Sequence, residues 1–138
     1  MIGMRTFHLK IVTPDGLSFD GEALSLSVRT TEGDIGILAG HLDLITPLGM
    51  GQATVVTESG TRSAACIGGM LSVQHDLVTL VATTFEWAED IDPDRAQFSY
   101  QRAQAVLHSK DASQADLKLA EARLKRALVR QSVAASKK

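Results

Sequence analysis

The stretch Glu89-Asp90-Ile91-Asp92-Pro93-Asp94-Arg95-Ala96 decides the fold, because the hydrophobic period of the chain changes across it. Before it the period is two. Phe7, Leu9 and Ile11 alternate with His8 and Lys10, and Leu24, Leu26 and Val28 alternate with Ser25, Ser27 and Arg29. That alternation predicts strands with one buried face. Turn chemistry recurs at short intervals, at Thr13-Pro14-Asp15-Gly16, Glu32-Gly33-Asp34, Glu58-Ser59-Gly60 and Gln74-His75-Asp76. Further runs at 52–57, 62–67 and 77–85 bring the count to eight or more short strands, the mark of an antiparallel sandwich or barrel.

Beyond residue 91 the period becomes helical. Ala96, Tyr100, Ala103 and Leu107 form one stripe, and Leu117, Ala120, Leu124 and Ala127 form another. The polar segment 108–113 between them is too short for anything but an antiparallel hairpin, and Ser113 with Asp116 has the form of a capping box. The stripes are narrow and rich in alanine, which buries little apolar area, so the hairpin is expected to be loosely held. The expected organisation is a β-sandwich over 1–88 and a two-helix hairpin over 89–138.

Two readings of the opening stretch stand. In one it is a helix start: Asp92 caps, Pro93 takes the first helical position, and the acids suit the positive end of the dipole. In the other it belongs to an anion site. Arg95 and Arg102 lie seven residues apart on one helical face, about 10 Å along the axis. Arg126 and Arg130 are an i, i+4 pair with Arg123 on the same side. Folding the hairpin about residues 111 and 112 brings positions 126–130 level with 93–97. Guanidiniums bind phosphates, and helix N-termini favour anions. A nucleotide phosphate chain fits such a cluster; a solvated face paired with Glu89, Asp90 and Asp94 is the plainer alternative.

The 138 residues carry a formal charge of −2, which speaks against a general nucleic-acid binder. Charge is nevertheless uneven: seven Lys or Arg against one Glu from Lys118 onward, and five acids with no base between Glu86 and Asp94. Apolar residues make up 44% and only six residues are aromatic, so the core is expected to be aliphatic. The single cysteine, Cys66, reads as a small buried hydrophobe in a reducing compartment. No apolar run reaches the roughly 18 residues of a membrane span, and the N-terminus lacks a secretory apolar region. Membrane contact is therefore expected only through partners. His8, His41, His75 and His108 show no metal-ligand spacing, no phosphate-loop glycine motif is present, and Gly49-Met50-Gly51 reads as a turn. No nucleophile–base set suggests catalysis.

Three segments in order resemble the epsilon subunit family of bacterial F-type ATP synthases. Glu32-Gly33-Asp34-Ile35-Gly36-Ile37-Leu38-Ala39-Gly40-His41 is similar to that family's E-G-x-x-G-I-L-P-G-H segment. Gly68-Gly69-Met70-Leu71-Ser72-Val73, followed by 77–82, is similar to its G-G-F/I-L-x-V turn and following strand. Ile91-Asp92-Pro93-Asp94-Arg95-Ala96 resembles its I/L-D-x-x-R-A element. The resemblance covers essentially the whole chain. It implies a sandwich of about ten strands clamped to a gamma subunit and resting on the ring of c subunits, within a rotor that couples ion-driven rotation to ATP synthesis. It implies a mobile C-terminal hairpin that inhibits ATP hydrolysis when extended towards the alpha/beta catalytic head, at the cytoplasmic face of the cell membrane. It also implies a regulatory ATP site formed by Ile91, Asp92, Arg95, Ala96, Arg102, Arg126 and Arg130, with Glu86 upstream, and no required cofactor.

Asp34 and His41 are expected in the loop facing the c subunits, although His41 also reads as a simple turn residue. Ala39 and Asp43 stand where the family usually has proline, and Asp94 is expected to bring a negative charge towards any phosphate. The competing reading, from a different class, is a free-standing sandwich with a helical lid that senses a nucleotide or another anion. Co-purification with a gamma-like coiled coil separates the two.

Overall fold

The computed structural model describes residues 5–136. They form eight strands, β1 (Phe7–Thr13), β2 (Gly16–Ala23), β3 (Ser25–Thr30), β4 (Gly33–Leu38), β5 (Leu44–Pro47), β6 (Met50–Thr57), β7 (Gly60–Gln74) and β8 (Leu77–Trp87). A 3-10 turn at Ala88–Asp90 leads into helices α1 (Pro93–Leu107) and α2 (Gln114–Ser136). The chain divides into two compact units between Trp87 and Ala88.

Within the first unit the strands are hydrogen-bonded in the order β2-β1-β8-β7-β6-β3-β4, with β5 also on β7. β7 holds the key to the sandwich. Its first half pairs with β6, its second half with β5, and it pairs with β8 almost throughout. One layer is therefore β2-β1-β8-β7-β5 and the other β8-β7-β6-β3-β4. Each layer has five strands, but β7 and β8 belong to both, so the expected ten are eight continuous strands. The bend falls at Gly68 and Gly69, both at positive φ. A Cβ on Gly69 would stand 1.9 Å from the Val81 carbonyl oxygen, so only glycine allows β8 to approach there.

Three of the four hairpins share one turn, Thr-x-x-Gly. At 13–16, 30–33 and 57–60 the threonine Oγ1 accepts the N–H two residues on and donates to the glycine carbonyl. The hydroxyl thus does locally what a backbone pair would otherwise do. The fourth hairpin, β7–β8, turns on His75 and Asp76, both at left-handed φ of 50° and 63°, as a two-residue turn of matching twist requires.

The core follows the alternation. Phe7, Leu9, Ile11, Leu26, Val28, Ile37, Val55, Leu71, Val73, Val78 and Leu80 are essentially fully buried. Cys66 is buried among them, and burial pushes its thiol up to about 12. Met50-Gly51 corrects one expectation: these residues begin β6 rather than form a turn. Gly51 makes room for the Arg29 stem, since a Cβ there would meet Arg29 Cβ at 2.8 Å.

In the second unit Asp92 caps α1 as expected, with Oδ1 accepting the N–H groups of Asp94 (3.0 Å) and Arg95 (3.3 Å). Ser113 and Asp116 cap α2 reciprocally, at 3.0 and 3.3 Å. Ala96 and Ala103 on α1, and Ala120, Ala127 and Val133 on α2, are buried. Among the described residues no helix is long and apolar enough to cross a membrane.

Candidate functional site

The hairpin gathers arginines on one side. At about 100° per residue, Arg95 and Arg102 each precede a buried alanine, Ala96 and Ala103, by one position on α1. On α2, Arg126 precedes buried Ala127, Arg123 precedes half-buried Leu124, and Arg130 follows one turn after Arg126. In an antiparallel pair, the flank preceding the contact stripe on one helix and the same flank on its partner lie on one side of the plane through both axes. All five arginine positions therefore lie on that side. Glu121 and Lys125 pair with each other at 3.5 Å on the other flank of α2. Asp94 points to the back of α1, away from α2, so the charge expected to oppose a phosphate is turned from the cluster.

The register differs from a simple fold about residues 111 and 112. Gln131 Nε2 donates to Gln97 Oε1, which sets residue 131 beside residue 97. Arg130 thus comes level with residue 98, between Arg95 and Arg102, and Arg126 comes level with Arg102, rather than both with the first turn that holds Arg95. Two helices joined by a polar segment of several residues need not return in the register of a sharp fold at its midpoint. Arg126 and Arg130 are half-buried while Arg95 and Arg102 are exposed, and the Arg102 guanidinium lies 5.7 Å above the ring of Phe98, itself 59% exposed. A planar cation on an exposed aromatic ring is a surface on which another flat group can stack.

The remaining candidates divide by role. Ile91 and Ala96 are buried and serve packing; Asp92 uses a carboxylate oxygen in the helix cap. Glu86 lies half-buried on β8 opposite Ala65, in the first unit. Both readings of the opening stretch thus keep a foothold: the acids start the helix, and the arginines form a face of their own.

Asp34 and His41 are not brought together. Asp34 corrects an expectation, since it sits within β4, paired with Arg29 at 3.5 Å across the β3–β4 ladder, and not in a loop. His41 lies beyond the other end of β4, past Leu38, about 13 Å further along at 3.3 Å per strand residue. Its Nδ1 is 2.7 Å from the Leu42 carbonyl and its N–H donates to Leu38.

The segment holding His41 is clasped to the β7–β8 turn. Gly40 N–H donates to Asp76 Oδ1 at 2.6 Å, and His75 N–H donates to Asp43 Oδ1 at 3.1 Å. Arg5 completes the Asp76 end at 3.6 Å. Gly40, His41, Leu42, Asp43, His75 and Asp76 line an open depression of about 630 Å³ beside which Leu42 is 83% exposed.

A second feature escaped the reading of the sequence. Pro47, Met70, Val81, Val12 and Leu17 are cross-strand neighbours in turn along β5-β7-β8-β1-β2. All five face outward from the sandwich; Met70 is 44%, Val81 49% and Leu17 57% exposed. At about 4.8 Å per strand they form an apolar stripe some 19 Å long. The signal was present: Leu80-Val81-Ala82, Ile11-Val12 and Met70-Leu71 are unbroken apolar runs, which mark strands covered on both faces.

Residues 6–88 match the family model described as the ATP synthase delta/epsilon chain beta-sandwich domain, and residues 89–135 the delta/epsilon long alpha-helix domain. A Bacillus velezensis protein named ATP synthase epsilon chain is 40% identical over 131 residues, spanning 95% of this chain and 98% of its own. A like-named protein from an Exiguobacterium species is 37% identical over 131 residues, 94% of this chain and 96% of its own. Among solved structures, a chain of the Euglena gracilis mitochondrial ATP synthase, in a cryo-EM structure of OSCP, F1 and c-ring, shares the fold with a TM-score of 0.82 at 23% identity. That match covers 96% of this chain and 82% of the other.

Proposed function

The chain belongs to the ATP synthase delta/epsilon family, and from that premise we propose that it works as a central-stalk subunit whose hairpin is an ATP-set brake on hydrolysis. The observation that carries the regulatory part is the single side of the hairpin bearing Arg95, Arg102, Arg123, Arg126 and Arg130. A triphosphate bound there bridges α1 and α2 and holds the hairpin closed; its departure frees the helices to extend towards the alpha/beta head. Binding energy applied only to the closed form shifts the equilibrium by the ligand's differential affinity and no more. The chain then regulates by occupancy and performs no covalent step of its own.

The sandwich supplies the anchorage. The apolar stripe from Pro47 to Leu17 is the seat for the gamma subunit, because an exposed apolar band of this length gains by being covered. The clasped tip around His41 and Leu42 meets the c-ring, at the cytoplasmic face of the membrane, and carries ring rotation into the stalk.

Calorimetric titration of the full chain with ATP, repeated on Arg126→Ala, tests the brake. Saturable binding that the substitution weakens supports it. Absence of binding up to millimolar ATP removes the nucleotide from the reading and leaves the stalk assignment. The anchorage is tested separately by co-purification with gamma of the wild type and of Val81→Asp.

A further inference from the structure

On the outer face of β1, the His8 ring lies between two carboxylates of β2. Nε2 is 2.5 Å from Asp20 Oδ1 and Nδ1 is 3.1 Å from Glu22 Oε2. Asp20 and Glu22 alternate along β2, so both side chains project on the same side and flank the ring at opposite nitrogens. Thr6 Oγ1 donates to Glu22 Oε1 at 2.8 Å and holds that carboxylate in place.

A neutral imidazole carries one N–H and one lone pair. With a carboxylate at each nitrogen, the neutral ring must point its lone pair at a carboxylate oxygen, whichever tautomer it adopts. Only the imidazolium satisfies both contacts. A metal ion does not explain the arrangement: among the described residues no group of three or more His, Cys, Asp or Glu side chains is placed to hold one, and each ring nitrogen here faces a different carboxylate. We infer that His8, Asp20 and Glu22 form a proton-operated clasp on strand β2, closed while the ring holds both protons and open once one is lost.

The strand it controls is vulnerable. β2 is an edge strand, bonded to β1 alone in the sheet order, and its register is already broken by a bulge between Ile11 and Val12. From β8 the Cα partner of His8 is Leu77. Lys10, next outward on β1, stands opposite Asp20. Asp76 takes the His8 backbone N–H on its carbonyl, while its carboxylate serves Gly40 and Arg5.

The hydrogen bonds to Asp20 and then Glu22 raise the His8 pKa above 6.5, and those from Thr6 and then His8 lower that of Glu22 below 4.5. A raised histidine contributes fully below 6.5 and fades as pH climbs through its folded value; a lowered carboxylate contributes above 4.5 and fades as pH falls. The clasp is therefore tightest between about 4.5 and 6.5 and opens on the alkaline side. Because β2 carries Leu17, opening also loosens the outer end of the apolar stripe; that consequence alone rests on the gamma assignment.

Proton NMR of the His8 ring in the isolated full chain, with amide-exchange protection factors for β2 and β3, tests the clasp without any partner. The expected result is a His8 midpoint above 6.5, lowered in Asp20→Asn, and a loss of β2 protection of about threefold across that midpoint, in the range of an exposed ion pair. β3 should not change, and His8→Gln should abolish the step. A midpoint at or below 6.5, or a β2 step that survives His8→Gln, overturns the inference.

Discussion

Asp43 holds His75 twice: one carboxylate oxygen accepts the His75 backbone N–H at 3.1 Å and the other lies 3.7 Å from its Nε2. Asp43 occupies a position where the resembling family usually has proline. A ring that stiffens the chain locally is replaced here by a side chain that ties it to the neighbouring turn. Asp76 completes the exchange through Gly40.

Asp43→Ala should accordingly loosen the tip and lower stability by about 1 kcal/mol, the usual net worth of one such hydrogen bond. Thermal unfolding should show a fall of roughly 4–8 °C if the sandwich unfolds as one unit of its size. Asp43→Pro should recover part of the loss by stiffening the segment without the bond. Equal melting temperatures for wild type and Asp43→Ala would show that the clasp adds nothing.

Gly69→Ala should be far more damaging. The added methyl meets backbone, the Val81 carbonyl at 1.9 Å, and φ of +119° strains any side chain. A cost above about 3 kcal/mol is expected, since neither cause can relax cheaply. Gly36→Ala, with nothing within 4 Å of the new atom, serves as the matched control and should unfold near wild type. Denaturant midpoints with unchanged slopes would separate these two outcomes cleanly.

Within the hairpin, Arg102→Ala and Arg126→Ala should each weaken ATP binding by about tenfold or more, as loss of a charged hydrogen bond does. Asp94→Asn should leave the affinity nearly unchanged, because Asp94 points away from α2. A large gain in affinity from Asp94→Asn would mean that the arginine side is not where the phosphates bind.

The Cys66 thiol should resist alkylation in the folded chain at pH 8, since burial lifts its pKa to about 12. The sign for stability follows. Between the ordinary 9.0 and about 12 the folded state keeps a proton that the unfolded state releases, so stability falls as pH rises through that range. Labelling rates that track global unfolding, measured against denaturant, would establish this; fast labelling without denaturant would contradict it.

Most of the fold was open to a reader of the chain. The alternation of Phe7, Leu9 and Ile11 and the stripe from Ala96 to Leu107 named the core faces correctly, because local period reports burial directly. What could not be read is pairing. The stripe from Pro47 to Leu17 depends on which strands are neighbours, and the Asp43–His75 clasp joins residues far apart in the chain. The strand count shifted for a related reason: a break in apolar pattern at Gly68-Gly69 looks like a turn, while the backbone runs through it as one strand. The arginine side was legible in angle but not in height, since the register of α2 on α1, marked by the Gln97–Gln131 bond, depends on how the two buried stripes mesh.

Because β7 and β8 run uninterrupted through both layers, a load arriving at the His75 tip travels along covalent backbone to the far end of the sandwich near Gly60. No slip plane lies across that path, and the layers cannot shear past one another without stretching the two strands they share. For the proposed contact of this tip with the c-ring, the consequence is that the two shared strands would carry a twist along the length of the sandwich.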